Sequence, residues 1–62
     1  MTFLDFQAIV YERVKSAGLT HNDALAFSEI ASGQYIKGVR TIIFRAFKTE
    51  EEILVFVFKV TS

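Results

Sequence analysis

Ile53-Leu54-Val55-Phe56-Val57-Phe58-Lys59-Val60 decides the architecture of this chain. The run holds a single charge and is rich in β-branched and aromatic residues, so it reads as a β-strand; it is far too short to cross a membrane. Successive strand side chains point to opposite faces of a sheet. Leu54, Phe56, Phe58 and Val60 therefore form one apolar face, and Ile53, Val55 and Val57 form another. A strand that is apolar on both faces asks for cover on both. Its residues 53–58 are also a β-prone, uncharged window without Pro, the kind that pairs with other chains unless charges flank it. Glu50, Glu51, Glu52 and Lys59 stand in those flanking positions, which gives the acidic triplet a sufficient structural role as gatekeepers.

Working outward, Lys48 to Glu52 is a polar turn, and Val39 to Phe47 before it carries Val-Arg-Thr-Ile-Ile-Phe-Arg-Ala-Phe, the composition of a strand. Val39, Ile42, Ile43 and Ala46 also fit helical spacing, so periodicity alone leaves residues 39–47 open between strand and helix. The need of the last segment for a pairing neighbour favours a β-hairpin. In that hairpin Ile42, Phe44 and Ala46 join Leu54, Phe56, Phe58 and Val60 on the more continuous apolar side, which is expected to bury against the rest of the chain.

The first half is helical. Phe3, Phe6, Val10, Val14 and Ala17 recur at spacings of three and four, with Ile9 widening the stripe, which predicts a helix over 3–17. Thr2 is placed to cap its start, with Asp5 in the first turn; Gly18 followed by Leu19 fits a glycine cap at its end. Thr20 with Asp23 opens a second helix over about 21–32, with Ala24, Phe27, Ile30 and Ala31 as its apolar face and Gly33 closing it. The short link makes the two an antiparallel pair. Residues 34–38 read as a connector. The fold class is thus α+β in α-α-β-β order: an N-terminal antiparallel helix hairpin packed on a C-terminal antiparallel β-hairpin. Residues 1–62 read as a single small domain whose sheet is completed or covered by oligomerisation.

Composition supports that last expectation. A chain of 62 residues buries only about 60% of the surface that its unfolded state exposes, and small domains find further support in disulfides, metals or self-association. There is no Cys and only one His, which excludes disulfides, thiolate metal sites and His clusters. Seven cationic residues balance seven acidic ones, so no net field recruits polyanions or repels a second copy. The opening Met1-Thr2-Phe3-Leu4-Asp5 lacks a cationic segment of the secretory type, no apolar run is long enough to span a membrane, and a cytoplasmic setting is expected.

Candidate chemistry is sparse. His21 is the one residue of the type used for acid-base work near neutral pH, with Asp23 and Glu29 near it in sequence, but it falls in the first turn of a helix, where an exposed His needs no role. Ser16, Ser28, Ser32 and Thr41 lack the elbow motif or second His that nucleophilic catalysis requires. Asp5, Glu12, Asp23 and Glu29 are spread over two helices, where solvated faces place carboxylates. Gly18, Gly33 and Gly38 are separated, each with a turn or cap to explain it, so no phosphate loop exists and no cofactor is expected. A helix-turn-helix reading around Gly33 is weak, because Ser28 and Ser32 fall where that motif packs apolar residues. No catalytic, cofactor or metal residues are assigned.

The expectation that remains is a non-enzymatic small interaction or regulatory module acting through protein-protein contacts as a homodimer. Its interface residues are Val39, Ile43, Phe47, Ile53, Val55 and Val57, the apolar centre of the odd-numbered hairpin face. Face stacking and edge-strand pairing both remain open as dimer geometries. The alternative is a small DNA- or RNA-binding regulator that contacts phosphates through Lys37, Arg40, Arg45, Lys48 and Lys59, with Tyr35 and Phe47 stacking on bases. The acidic turn beside these cations weighs against it.

Overall fold

The computed structural model describes residues 2–60. Two helices, α1 (Phe3–Ser16) and α2 (His21–Ile36), pack together and are followed by a two-stranded antiparallel hairpin, β1 (Thr41–Phe47) and β2 (Ile53–Lys59). The α-α-β-β order matches the sequence reading, and residues 41–47 are strand rather than helix.

Both helix starts are capped as the sequence implies. The Asp5 N–H donates to Thr2 Oγ1 at 3.1 Å and the Asp23 N–H to Thr20 Oγ1 at 3.2 Å, each satisfying a donor that the first turn leaves free. Gly18, at φ +97, ends α1. The second helix differs from its expected span. Gly33 lies inside α2, which continues to Ile36, so residues 34–36 are helical and not part of a connector. The cap is Gly38, at φ +88: its N–H donates to Tyr35 O, and the Val39 N–H reaches Gln34 O at 3.0 Å, the paired bonds of a Schellman motif. The extra turn is held by Tyr35, whose ring stacks on Phe6 of α1. Val39 belongs to this cap, which is why β1 starts at Thr41 and not at residue 39.

The core lies between the helix pair and the even-numbered side of the hairpin. Phe6, Val10 and Val14 from α1, Ala24 and Ala31 from α2, and Ile42, Phe44, Ala46, Phe56, Phe58 and Val60 are buried, with Leu54 half-buried at its edge. Aromatic rings knit the layers: Phe27 sits 5.1 Å from Phe44 and Phe6 6.3 Å from Phe58, centroid to centroid. The expected helix stripes are too broad. Phe3, Ile9 and Ile30 are exposed, because helix axes pack about 8–10 Å apart while strands lie about 4.8 Å apart, so two strands cannot cover the outer flanks of two helices. Ser28 and Ser32 take places in the interior instead. Their hydroxyls donate to Leu25 O and Ser28 O, both at 2.7 Å, which satisfies them within the helix.

Hairpin register follows from two backbone bonds. Ile42 is opposite Phe58, Ile43 opposite Val57, Phe44 opposite Phe56 and Arg45 opposite Val55. The Lys48 N–H donates to Glu52 O and the Val60 N–H to Arg40 O. Opposed residues in an antiparallel ladder alternate between pairs that exchange hydrogen bonds and pairs that do not. The even-numbered pairs are therefore the bonded ones. The odd-numbered residues turn their N–H and C=O groups outward, to the two edges of the sheet.

Candidate protein-interaction surface

Strict alternation places the odd-numbered residues on the side away from the helices, where none of the described residues covers them. Ile43 is 59% exposed, Phe47 71%, Ile53 56% and Val55 58%, with Val57 also exposed. Cross-strand partners Ile43 and Val57, and Phe47 and Ile53, lie side by side on this face, so the apolar surface is continuous. A small monomer ordinarily tolerates a contiguous apolar patch of only a few hundred Å². Five of the six expected contact residues are thus brought together on one face of the hairpin. Val39 is exposed but sits on the α2 cap, beyond the end of β1, so strand alternation does not place it there.

Charge is divided along the hairpin. Glu50, Glu51 and Glu52 occupy the turn, where the Thr49 hydroxyl accepts the backbone N–H groups of Glu51 and Glu52 at 3.3 and 3.1 Å and fixes the loop. Arg40 and Lys59 are exposed at the opposite, open end, and Lys37 follows the last residue of α2. Lys48, although next to the turn, reaches back to the link between the helices: its Cε lies 3.2 Å from the position that a Cβ on Gly18 would take. Arg45 leans towards the outer flank of β1, where it lines a shallow groove with Leu19, Asp23, Phe27, Ala46 and Phe47. The five cations considered for nucleic-acid contact are therefore dispersed, with Arg45 and Lys59 on the open face and about 13 Å apart along the strands. Tyr35 is engaged with Phe6.

Two features escaped the sequence reading. His21 is hydrogen-bonded through Nδ1 to the Tyr11 hydroxyl at 2.7 Å, with the rings edge to face, a contact that ties the start of α2 to the middle of α1. No spacing signals it, because the partners lie on different helices. An open groove of about 350 Å³ also runs along the outer side of the helix pair, lined by Leu4, Gln7, Ala8, Tyr11, Glu12, Leu25 and Ser28. Leu4 and Leu25 are its exposed apolar residues. Among the described residues, no three His, Cys, Asp or Glu side chains come together as metal ligands, and no helix is long and apolar enough to cross a membrane.

No family model matches the chain, nor does any curated protein or solved structure.

Proposed function

We propose that this chain is a non-enzymatic interaction module, working in the cytoplasm, which acts through protein-protein contacts of its open hairpin face and assembles as a homodimer. The observation that carries the reading is the exposure of Ile43, Phe47, Ile53, Val55 and Val57 on one face of the two-stranded hairpin. Water contact over such a surface is unfavourable by about 25 cal/mol per Å² of apolar area, so covering it is favourable. Zero net charge removes the long-range repulsion between copies. The cytoplasmic setting is the default for such a composition, and a sequence without cysteine fits it. A polynucleotide partner draws less support, since the cations are dispersed and the acidic turn shares their surface.

Light scattering tests this reading over protein concentrations from about 10 μM to about 1 mM, the range in which a weak dimer forms. The wild type is expected to reach dimer mass. Val55→Glu, at an exposed position in the centre of the face, is expected to stay monomeric and folded. A wild type that remains monomeric throughout, or a Val55→Glu protein that dimerises equally well, would refute the proposal.

A further inference from the structure

The open hairpin face lies between opposite charges, with Glu50, Glu51 and Glu52 in the turn and Lys59 on the face at the open end about 23 Å away. Arg40, in register with Val60 on the even-numbered side, is exposed and adds its charge to that end without lying on the face. We infer that two copies stack these faces head to tail, so that the acidic turn of each lies over the cationic open end of the other. The inference rests on the homodimer reading above and fixes its geometry. Two sheet faces related by a two-fold axis have two aligned arrangements. An axis along the strands sets turn over turn, acid against acid and cation against cation. An axis across the strands sets turn over open end and pairs opposite charges twice. Only the second arrangement is electrostatically complementary.

The remaining cations do not spoil this pairing. Lys48 is drawn to the Gly18 side, away from the open face, which leaves the turn end acidic. Arg45 also lines the groove at the flank of β1 to which Asp23 contributes, so it adds no charge to either end of the hairpin. In the head-to-tail arrangement Arg45 of one copy comes level with Ile43 of the other, and Val55 with Val57. A specific interface needs about 1,000 Å² in total, or about 500 Å² from each copy. That is roughly a ninth of the 4364 Å² that the chain exposes.

Edge pairing of two β2 strands is the competing geometry, because Val55 and Val57 turn unbonded backbone groups outward. The helices oppose it. They overhang the narrower sheet, and a strand brought within about 4.8 Å of β2 would press the helices of the two copies together.

Three measurements test the arrangement. Sedimentation equilibrium between about 0.01 M and 0.15 M ionic strength, where the screening length falls from about 30 to about 8 Å, is expected to show the dimer Kd rising about threefold or more. A Kd that stays constant or falls would overturn the head-to-tail pairing while leaving the homodimer intact. A turn-reversed protein (Glu50→Lys, Glu51→Lys, Glu52→Lys) and an end-reversed one (Arg40→Glu, Lys59→Glu) change only exposed side chains. Each alone is expected to lose dimer affinity by about tenfold, and an equimolar mixture is expected to recover it. Undiminished self-association of a folded variant would refute the inference; since each variant is read by itself, failure of one to fold leaves the other decisive. Amide exchange of the wild-type dimer separates face from edge. The outward N–H groups of Ile53, Val55 and Val57 are expected to exchange far faster than those of Phe56 and Phe58, and equal protection would establish edge pairing instead. A monomer under all conditions would end both this inference and the reading beneath it.

Discussion

Phe6 and Tyr35 stack with ring centroids 5.1 Å apart and 20° between their planes, although 29 positions separate them in the chain. The contact fastens the last turn of α2 to the first turns of α1, at the end of the molecule where the hairpin is open. Tyr35→Ala removes both the partly buried ring and the stack, and is expected to cost about 2 kcal/mol. Urea denaturation followed by circular dichroism measures it. A loss below about 0.5 kcal/mol would mean that α2 ends where it does for other reasons.

Two glycines of α2 are expected to respond in opposite directions. Gly33 is inside the helix with nothing within 4 Å of a Cβ built on it, so Gly33→Ala is expected to stabilise by about 0.5–1 kcal/mol. Gly38 has equal space but φ +88, and Gly38→Ala is expected to destabilise by about 1–2 kcal/mol. Thermal melts of the two proteins in parallel give the sign of each change.

Adjacent residues of β2 are expected to differ as sharply. Phe56 is buried against Phe27 and Phe44, and Phe56→Ala is expected to cost about 3–5 kcal/mol. Val55→Ala, on the open face, is expected to change monomer stability by no more than about 0.5 kcal/mol. Denaturation at low protein concentration keeps assembly out of the comparison.

The cap of the second helix offers a local test. Thr20→Ala leaves the Asp23 N–H without its 3.2 Å acceptor and is expected to cost about 1 kcal/mol, with loss of amide protection confined to the first turn of α2. Uniform loss of protection over the whole chain would show instead that this turn opens only with global unfolding.

Much of this architecture was legible in the sequence because it rests on short periodicities and on capping chemistry. Thr2, Thr20 and Gly18 act as their neighbours imply, and the even-odd alternation of residues 53–60 separated the buried from the open face. The limits of α2 were not legible. Gly33 and Gly38 look alike as letters, and what decides between them is a ring on another helix. Ile9 and Ile30 were assigned to the core because spacing reports a stripe without reporting how wide a surface is available to cover it. Ser28 and Ser32 were read as a mismatch to apolar packing, yet their hydroxyls bond to the helix itself and let the small side chains enter the interior. For the contact surface, alternation identified the residues of the open face, while the backward reach of Lys48 and the outward lean of Arg45 required coordinates.

The parity of the hairpin has an evolutionary consequence. Even-numbered residues supply the buried side chains and the internal backbone bonds, while odd-numbered residues between Thr41 and Lys59 keep neither for the fold. Selection can therefore rewrite Ile43, Phe47, Ile53, Val55 and Val57 almost free of the constraint of foldability. Descendants of one ancestral sequence would be expected to share a core and diverge in whom they bind.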